Sequence, residues 1–146
     1  MRAKLEKVPI FAGLDEAAVD FLWERVTESK FANGSVIIAE GAPGNRFFLV
    51  GEGSVRVCRH LGQPNEIELG RMPVGDFFGE MCILETLPRS ATVQAMADTT
   101  VYSLSSMAFY ALFQAMPAQY GILILNIARD LSRRLRGLHG VLDARH

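Results

Sequence analysis

Nine of the thirteen glycines in this 146-residue chain fall between Gly34 and Gly79, and short β-type runs lie between them. Glycine reaches positive φ without steric cost, so glycines at this spacing end extended segments in tight turns. The runs are residues 35–39, 46–50, 54–58 and 66–69, with two more at 91–95 and 100–104. Val55 and Val57 alternate with Arg56, and Ile67 and Leu69 alternate with Glu66 and Glu68. That is the period of a strand with one buried face. Many short strands with closely spaced turns predict an antiparallel sandwich or small barrel.

Helical signals flank this region. Asp15 is suited to cap a first helix, with Leu14 stapled onto Val19 and an apolar stripe of Val19, Leu22, Trp23 and Val26. Ser105 or Ser106 caps another, with Phe109, Leu112 and Phe113 expected to face inward, and Pro117 starts or interrupts the longest. The predicted order is a helix, eight or so strands, then two helices, in a single domain over 1–146. Its helical part runs to about residue 30, its β part over about 31–104 and its closing helices over about 105–142. In the last helix Ile124, Ala128, Leu131, Leu135, Leu138 and Leu142 follow at steps of 4, 3, 4, 3 and 4. That heptad seam fits two packed helices, as in a homodimer, or a stripe packed on the chain's own barrel. Gly137 and Gly140 weaken this helix by ~1 kcal/mol each relative to alanine. Arg129, Arg133, Arg134 and Arg136 read as its solvated face rather than a nucleic-acid contact.

Totals exclude several classes. A net charge of −1 argues against a surface built for nucleic acid or anionic lipid. Apolar runs such as Ile122 to Leu125 stop far short of the ~20 residues of a membrane helix, and no membrane partner is expected. The first residues carry no signal-peptide run. Cys58 and Cys82 lack paired spacing and read as reduced thiols, which points to the cytoplasm. His60, His139 and His146 are too scattered for a metal site, and neither a nucleophile signature nor a P-loop is present. No enzyme activity, metal or cofactor is expected.

The chemistry concentrates in FFGEMCILETLPRSATV, residues 77–93. Gly79 opens a short helical stretch from Glu80 to Leu84, with Met81, Ile83 and Leu84 expected to anchor it in the core. A helix start offers unpaired N–H groups and partial positive charge to an anion. Thr86, Leu87 and Pro88 form a stiff loop that fixes the approach to Arg89. Arg89 forks onto two oxygens of an anion, and small Ser90 and Ala91 let a ligand approach the backbone. A carboxylate beside an anion needs another partner, and a sugar hydroxyl suits Glu80. A 3′,5′-cyclic nucleotide has one phosphodiester charge and a free ribose 2′-hydroxyl. Equally, Glu80 and Arg89 at this spacing could simply pair with each other on the barrel rim.

This stretch closely resembles the phosphate-binding cassette of the cyclic-nucleotide-binding domain family, the group of cAMP receptor and catabolite-activator sensor domains. Phe78, Gly79, Glu80, Leu84, Arg89, Ser90, Ala91 and Thr92 fall on its pattern, and the likeness extends from about Val8 to about Leu138. The resemblance implies a mainly β fold: an eight-stranded antiparallel β-roll, of jelly-roll or cupin-like double-stranded β-helix type, with an N-terminal helix and C-terminal hinge and lid helices. It implies that Glu80 holds the ribose 2′-hydroxyl and Arg89 the cyclic phosphate. The N–H groups of Gly79 and Ala91 and the Ser90 hydroxyl complete the phosphate shell, with Phe78 and Met81 flanking. Serine at position 90 lies between the residues that favour adenine and guanine in the family; cAMP is expected, with cGMP the alternative. Leu138 and His139 are the candidates for a lid contact to the base. Few residues follow Leu138, too few for a DNA-reading module. The expected function is a cyclic-nucleotide sensor coupled to its C-terminal helix and to an unidentified effector protein. The alternatives are a dimerising interaction module with a vestigial pocket, or the sensor fragment of a transcription factor or channel.

Overall fold

The computed structural model describes residues 5–84 and 88–144, excepting the side chains at 134 and 138–144. Within them a short 3-10 helix, Pro9–Phe11, leads to helix α1, Glu16–Trp23. Strands follow as β1 (Thr27–Phe31), β2 (Val36–Ile38), β3 (Arg46–Glu52), β4 (Val55–Arg59), β5 (Ile67–Met72) and β6 (Phe77–Phe78). After a second 3-10 helix, Glu80–Ile83, come β7 (Thr92–Ala95), β8 (Thr99–Ser105), α2 (Ser106–Ala115) and α3 (Pro117–Ala144). The strands pair antiparallel in two four-stranded sheets, ordered β1-β8-β3-β6 and β2-β7-β4-β5. The eight-stranded roll with flanking helices is therefore the architecture observed.

The Phe47-Phe48-Leu49-Val50 run shows why β3 sits at the centre. Successive strand side chains point to opposite faces. Phe47 and Leu49 enter the cluster of Ile10, Phe11, Leu22, Phe109, Leu112, Leu123 and Ile127 under the helices. Val50 joins Ile38, Val55, Phe78 and Val93 between the sheets, with Phe48 packed against that group. Both faces are covered, so the strand is apolar on both. Each large side chain buried here stabilises the fold by roughly 1.5–3 kcal/mol. Phe47 meets Phe11 and Phe109 edge-on, at centroid distances of 5.4 and 6.1 Å.

Local signals operate as read. The Asp15 carboxylate accepts from the Ala18 N–H at 2.9 Å and caps α1. Of the two candidate serines Ser105 caps α2, its Oγ accepting from the Ala108 N–H at 3.3 Å. Pro117 begins α3, where it gives up an N–H that would be unpaired anyway.

Burial departs from the expectation at several points. Ile67 and Leu69 are each 53% exposed: β5 is an edge strand, and from it only Met72 reaches the layer between the sheets. Phe113 is exposed because α2 turns Ala108, Phe109 and Leu112 inward instead. Val26 packs on the core as expected but lies beyond the end of α1, in a turn closed by its own N–H donating to the Trp23 carbonyl at 3.1 Å. Strand β1 begins at Thr27, before the boundary near residue 30; TESKF has no apolar alternation and is a strand because β8 pairs with all of it.

Helix α3 splits the heptad seam. The residues that root it are Leu123 and Ile127, both fully buried, with Ile124 and Leu131 partly packed on the same cluster. Ala128 and Leu135 are exposed, and the Leu138 and Leu142 side chains lie outside the described residues. Asn126 Nδ2 donates to the Ile10 and Ala12 carbonyls at 3.0 and 2.7 Å, tying α3 to the first 3-10 helix. Among the described residues no helix is long and apolar enough to cross a membrane.

Candidate functional site

The second 3-10 helix starts where β6 ends against β3. Gly79 at its N-cap has φ +82°, a left-handed conformation that side chains resist. A Cβ at this position would also lie 2.5 Å from the Arg46 carbonyl oxygen and 3.0 Å from Arg89 Nη1. Glycine is required here twice, for its φ and for the close approach of β3 and the arginine.

The following four residues divide sharply. Glu80 is 3% exposed and Cys82 5%, whereas Met81 and Leu84 are 39% and 44% exposed. Met81 and Leu84 therefore do not anchor the stretch in the core, as their apolarity had suggested; Cys82 and Ile83 do. A single 3-10 turn presents little inward surface, and here a carboxylate occupies part of it.

Arg89 reaches the same place from the other side. Its N–H donates to the Ala42 carbonyl at 2.8 Å, and its own carbonyl accepts from the Gly41 N–H at 2.7 Å. Pro43 and Pro88 form a β-bridge beside it. The side chain then turns inward, and Nη2 donates to the Arg46 carbonyl at 2.6 Å. Burial draws the guanidinium pKa below its ordinary value, while Cys82 and the Glu80 charge push it back up. The Cys82 thiol is pushed up to about 11, chiefly by burial and further by Glu80, with Arg89 pulling the other way. At neutral pH the thiol is protonated.

These groups line one cavity of about 340 Å³. Of the residues expected from sequence, Phe78, Gly79, Glu80, Met81, Arg89 and Ser90 line it. Ala91 follows them on the approach to β7. Leu138 and His139 belong to α3, but their side chains, like residues 85–87 of the loop with Thr86 and Leu87, lie outside the described residues. Sequence reasoning did not name Gly44, Met72, Phe77, Cys82 and Pro88 as wall residues. Cys82 sits inside the motif, two residues after Glu80, and could have been proposed. Met72 arrives from β5 and carries no local signal.

Thr92 and Ser90 show how the loop is fixed to the sheet. Thr92 is 6% exposed, and its Oγ1 accepts from the Glu40 N–H at 3.0 Å. The Ser90 carbonyl accepts from Arg59 Nε at 3.1 Å. The result is a half-buried cation and a buried carboxylate on one cavity, with an apolar wall of Met72, Phe77 and Phe78. Such a site suits a small organic anion that carries a hydroxyl near its charge. Among the described residues no cluster of side chains could hold a metal ion.

A profile of the cyclic nucleotide-binding domain matches residues 28–116. The chain is 39% identical over 110 residues to a cyclic nucleotide-gated potassium channel of Mesorhizobium japonicum, which covers 75% of this chain and 29% of the channel. It is 34% identical over 136 residues to the cyclic AMP receptor protein of Thermus thermophilus, 92% of this chain and 61% of that protein. The crystal structure of the N-terminal domain of a transcriptional regulator from Streptomyces coelicolor superposes with a TM-score of 0.81 at 27% identity, covering 90% of this chain and 94% of that one. The chain spans less than two thirds of the length of the curated relatives it matches.

Proposed function

The chain belongs to the cyclic nucleotide-binding domain family, and we propose that it is a sensor that binds a 3′,5′-cyclic nucleotide, cAMP ahead of cGMP, and passes occupancy to its last helix. The observation that carries this reading is the convergence of the Arg89 guanidinium and the buried Glu80 carboxylate on one cavity of about 340 Å³. Arg89 takes the cyclic phosphate. A guanidinium offers five donors, of which the Arg46 carbonyl takes one. Glu80 accepts from the ribose 2′-hydroxyl, and the N–H groups of Gly79 and Ala91 and the Ser90 hydroxyl complete the phosphate shell. Likeness to a cyclic AMP receptor protein over 92% of the chain supports cAMP. Leu138 or His139 closes over the base.

Coupling requires that the ligand bind one arrangement of the protein better than another. The path is short. Cys82 belongs to the same packed cluster as Phe109 and Leu112 of α2 and Leu123 and Ile127 of α3. A ligand that draws the Glu80–Ile83 helix toward its phosphate therefore pulls on the cluster that roots α3. The last helix also serves as a homodimer seam, for which the heptad residue Leu135, 55% exposed, is available, with Leu125, 49% exposed, lying outside the heptad. Those same exposed leucines favour the second reading, a dimerising module whose pocket is vestigial.

Titration calorimetry tests the site. Arg89→Ala loses at least one charge-assisted hydrogen bond worth ~1.5–3 kcal/mol, about a 10- to 150-fold loss of cAMP affinity. Glu80→Ala weakens cAMP more than 2′-deoxy-cAMP. Wild-type affinity in Arg89→Ala rejects the reading, and a dimer in sedimentation that ignores every cyclic nucleotide favours the second one.

A further inference from the structure

Among the described residues three sulfur-bearing side chains line the cavity of Arg89 and Glu80: Met72, Met81 and Cys82. They differ in how open they are to an oxidant. Cys82 is 5% exposed, and burial pushes its thiol up to about 11. It is protonated at neutral pH, while cysteine oxidation proceeds through the thiolate. Met72 is half-buried and packs against the layer between the sheets. Met81 is 39% exposed. A thioether has no proton to lose, so its sulfur is reactive without any change of charge. Exposure alone does not single Met81 out, because Met107 on α2 is 69% exposed. Position does: among the described residues Met81 is the one methionine that is both exposed and on the cavity wall. The 3-10 turn that buries the Glu80 carboxylate leaves the next side chain, this thioether, open to solvent.

We propose that Met81 is a site of reversible oxidation, and that its sulfoxide closes the cavity to the cyclic nucleotide. Such a role rests on the nucleotide-binding reading of the cavity and adds to it a control acting on the same wall. The oxidant is a hydroperoxide. One peroxide oxygen passes to the Met81 Sδ: the S–O bond forms as the O–O bond breaks, the sulfur loses two electrons, and hydrogen peroxide is reduced to water. A dithiol reverses the step: its two thiols give up two electrons and two protons, a disulfide forms, and the oxygen leaves as water. The sulfoxide turns a flexible apolar side chain into a polar one. Around it the wall is apolar, formed by Met72, Phe77 and Phe78. A polar group covered by a ligand without a hydrogen-bond partner opposes its own burial, so the oxidised wall disfavours an occupant. Conversely, an occupant covers the thioether and shields it.

Hydrogen peroxide is applied to the wild-type chain with and without saturating cAMP, and peptide mass spectrometry follows sulfoxide at Met81 and, as the reference, at Met107. Bound cAMP slows oxidation of Met81 severalfold and leaves Met107 unchanged. The oxidised chain binds cAMP about tenfold more weakly in calorimetry. A pair of methionine sulfoxide reductases, one for each sulfoxide epimer, restores the affinity in the presence of a dithiol. Without nucleotide, oxidation moves the melting temperature by less than about 3 °C, since the residue is exposed. Met81→Leu and Met72→Leu are each compared with themselves before and after peroxide. Met81→Leu keeps its starting affinity, and Met72→Leu loses it as wild type does. Loss of affinity in peroxide-treated Met81→Leu overturns the assignment to Met81. A Met81 oxidation rate that cAMP leaves unchanged also overturns it, as does a fall in melting temperature that matches the loss of binding. Undiminished cAMP binding with Met81 fully oxidised overturns the control and leaves the cavity's function standing. A wild-type chain that takes up no cyclic nucleotide, oxidised or not, overturns both.

Discussion

Replacing Gly79 by alanine perturbs the site at its most crowded point, and its cost separates into two terms. The first is conformational: φ is +82°, and an L side chain in that region costs about 1–2 kcal/mol. The second is steric. The new Cβ would lie 2.5 Å from the Arg46 carbonyl oxygen, well inside ordinary contact. That oxygen cannot give way cheaply, because Arg46 is paired with Ser105 in β3 and β8. Forced overpacking of this kind costs about 1–3 kcal/mol. The sum is about 2–5 kcal/mol. For a domain of this size each kcal/mol lowers the melting temperature by about 2–4 °C, so Gly79→Ala should melt about 10 °C below wild type. Gly75→Ala is the control: φ is +94°, yet nothing lies within 4 Å of its added Cβ. It carries the conformational term alone and should melt about 4 °C lower. Scanning calorimetry on the pair isolates the steric term, and equal losses would refute it. Because Arg89 Nη1 is the next atom met, at 3.0 Å, Gly79→Ala should also weaken cAMP binding while Gly75→Ala should not.

Outcomes at three further residues rest on contacts already described. Cys82, with its thiol pushed up to about 11, should alkylate slowly at neutral pH and speed up as pH approaches that value; Arg89→Ala should slow it further, because the arginine charge lowers the thiol pKa. The sign for stability follows: the thiol's contribution is complete below its unfolded value near 9 and is lost as pH rises toward 11, which pH-dependent melting measures. Asn126→Ala removes both bonds to the Ile10 and Ala12 carbonyls and should cost about 1–3 kcal/mol in urea unfolding, and Asn126→Asp, which exchanges donor for acceptor, should do no better. Asp15→Ala should cost about 1 kcal/mol by loss of the α1 cap, in the same assay.

How far the sequence carried the molecule depends on the range of the interaction concerned. The cap at Asp15, a cap at Ser105 or Ser106, the helical stretch opened by Gly79, the break at Pro117 and six of the strands are properties of a few adjacent residues, and the sequence placed each within a few residues of where the structure has it. The spacing of Glu80 and Arg89 left a plain ion pair open, and it was the resemblance of the whole stretch around them to a known motif that made them a candidate site. Burial is another matter, because it is set by whichever distant element covers a face. Ile67 and Leu69 alternate like buried residues but lie on an edge strand, and TESKF has no pattern yet forms β1 because β8 lies beside it. Tertiary structure alone turned Glu80 inward and Met81 outward, rooted α3 chiefly on Leu123 and Ile127, which lie outside the heptad, and brought the Arg46 carbonyl and the Arg59 guanidinium to the loop of Arg89 and Ser90. Those contacts join residues 31 to 43 positions apart. A local pattern holds no record of such partners, because they meet only after the sheets have closed.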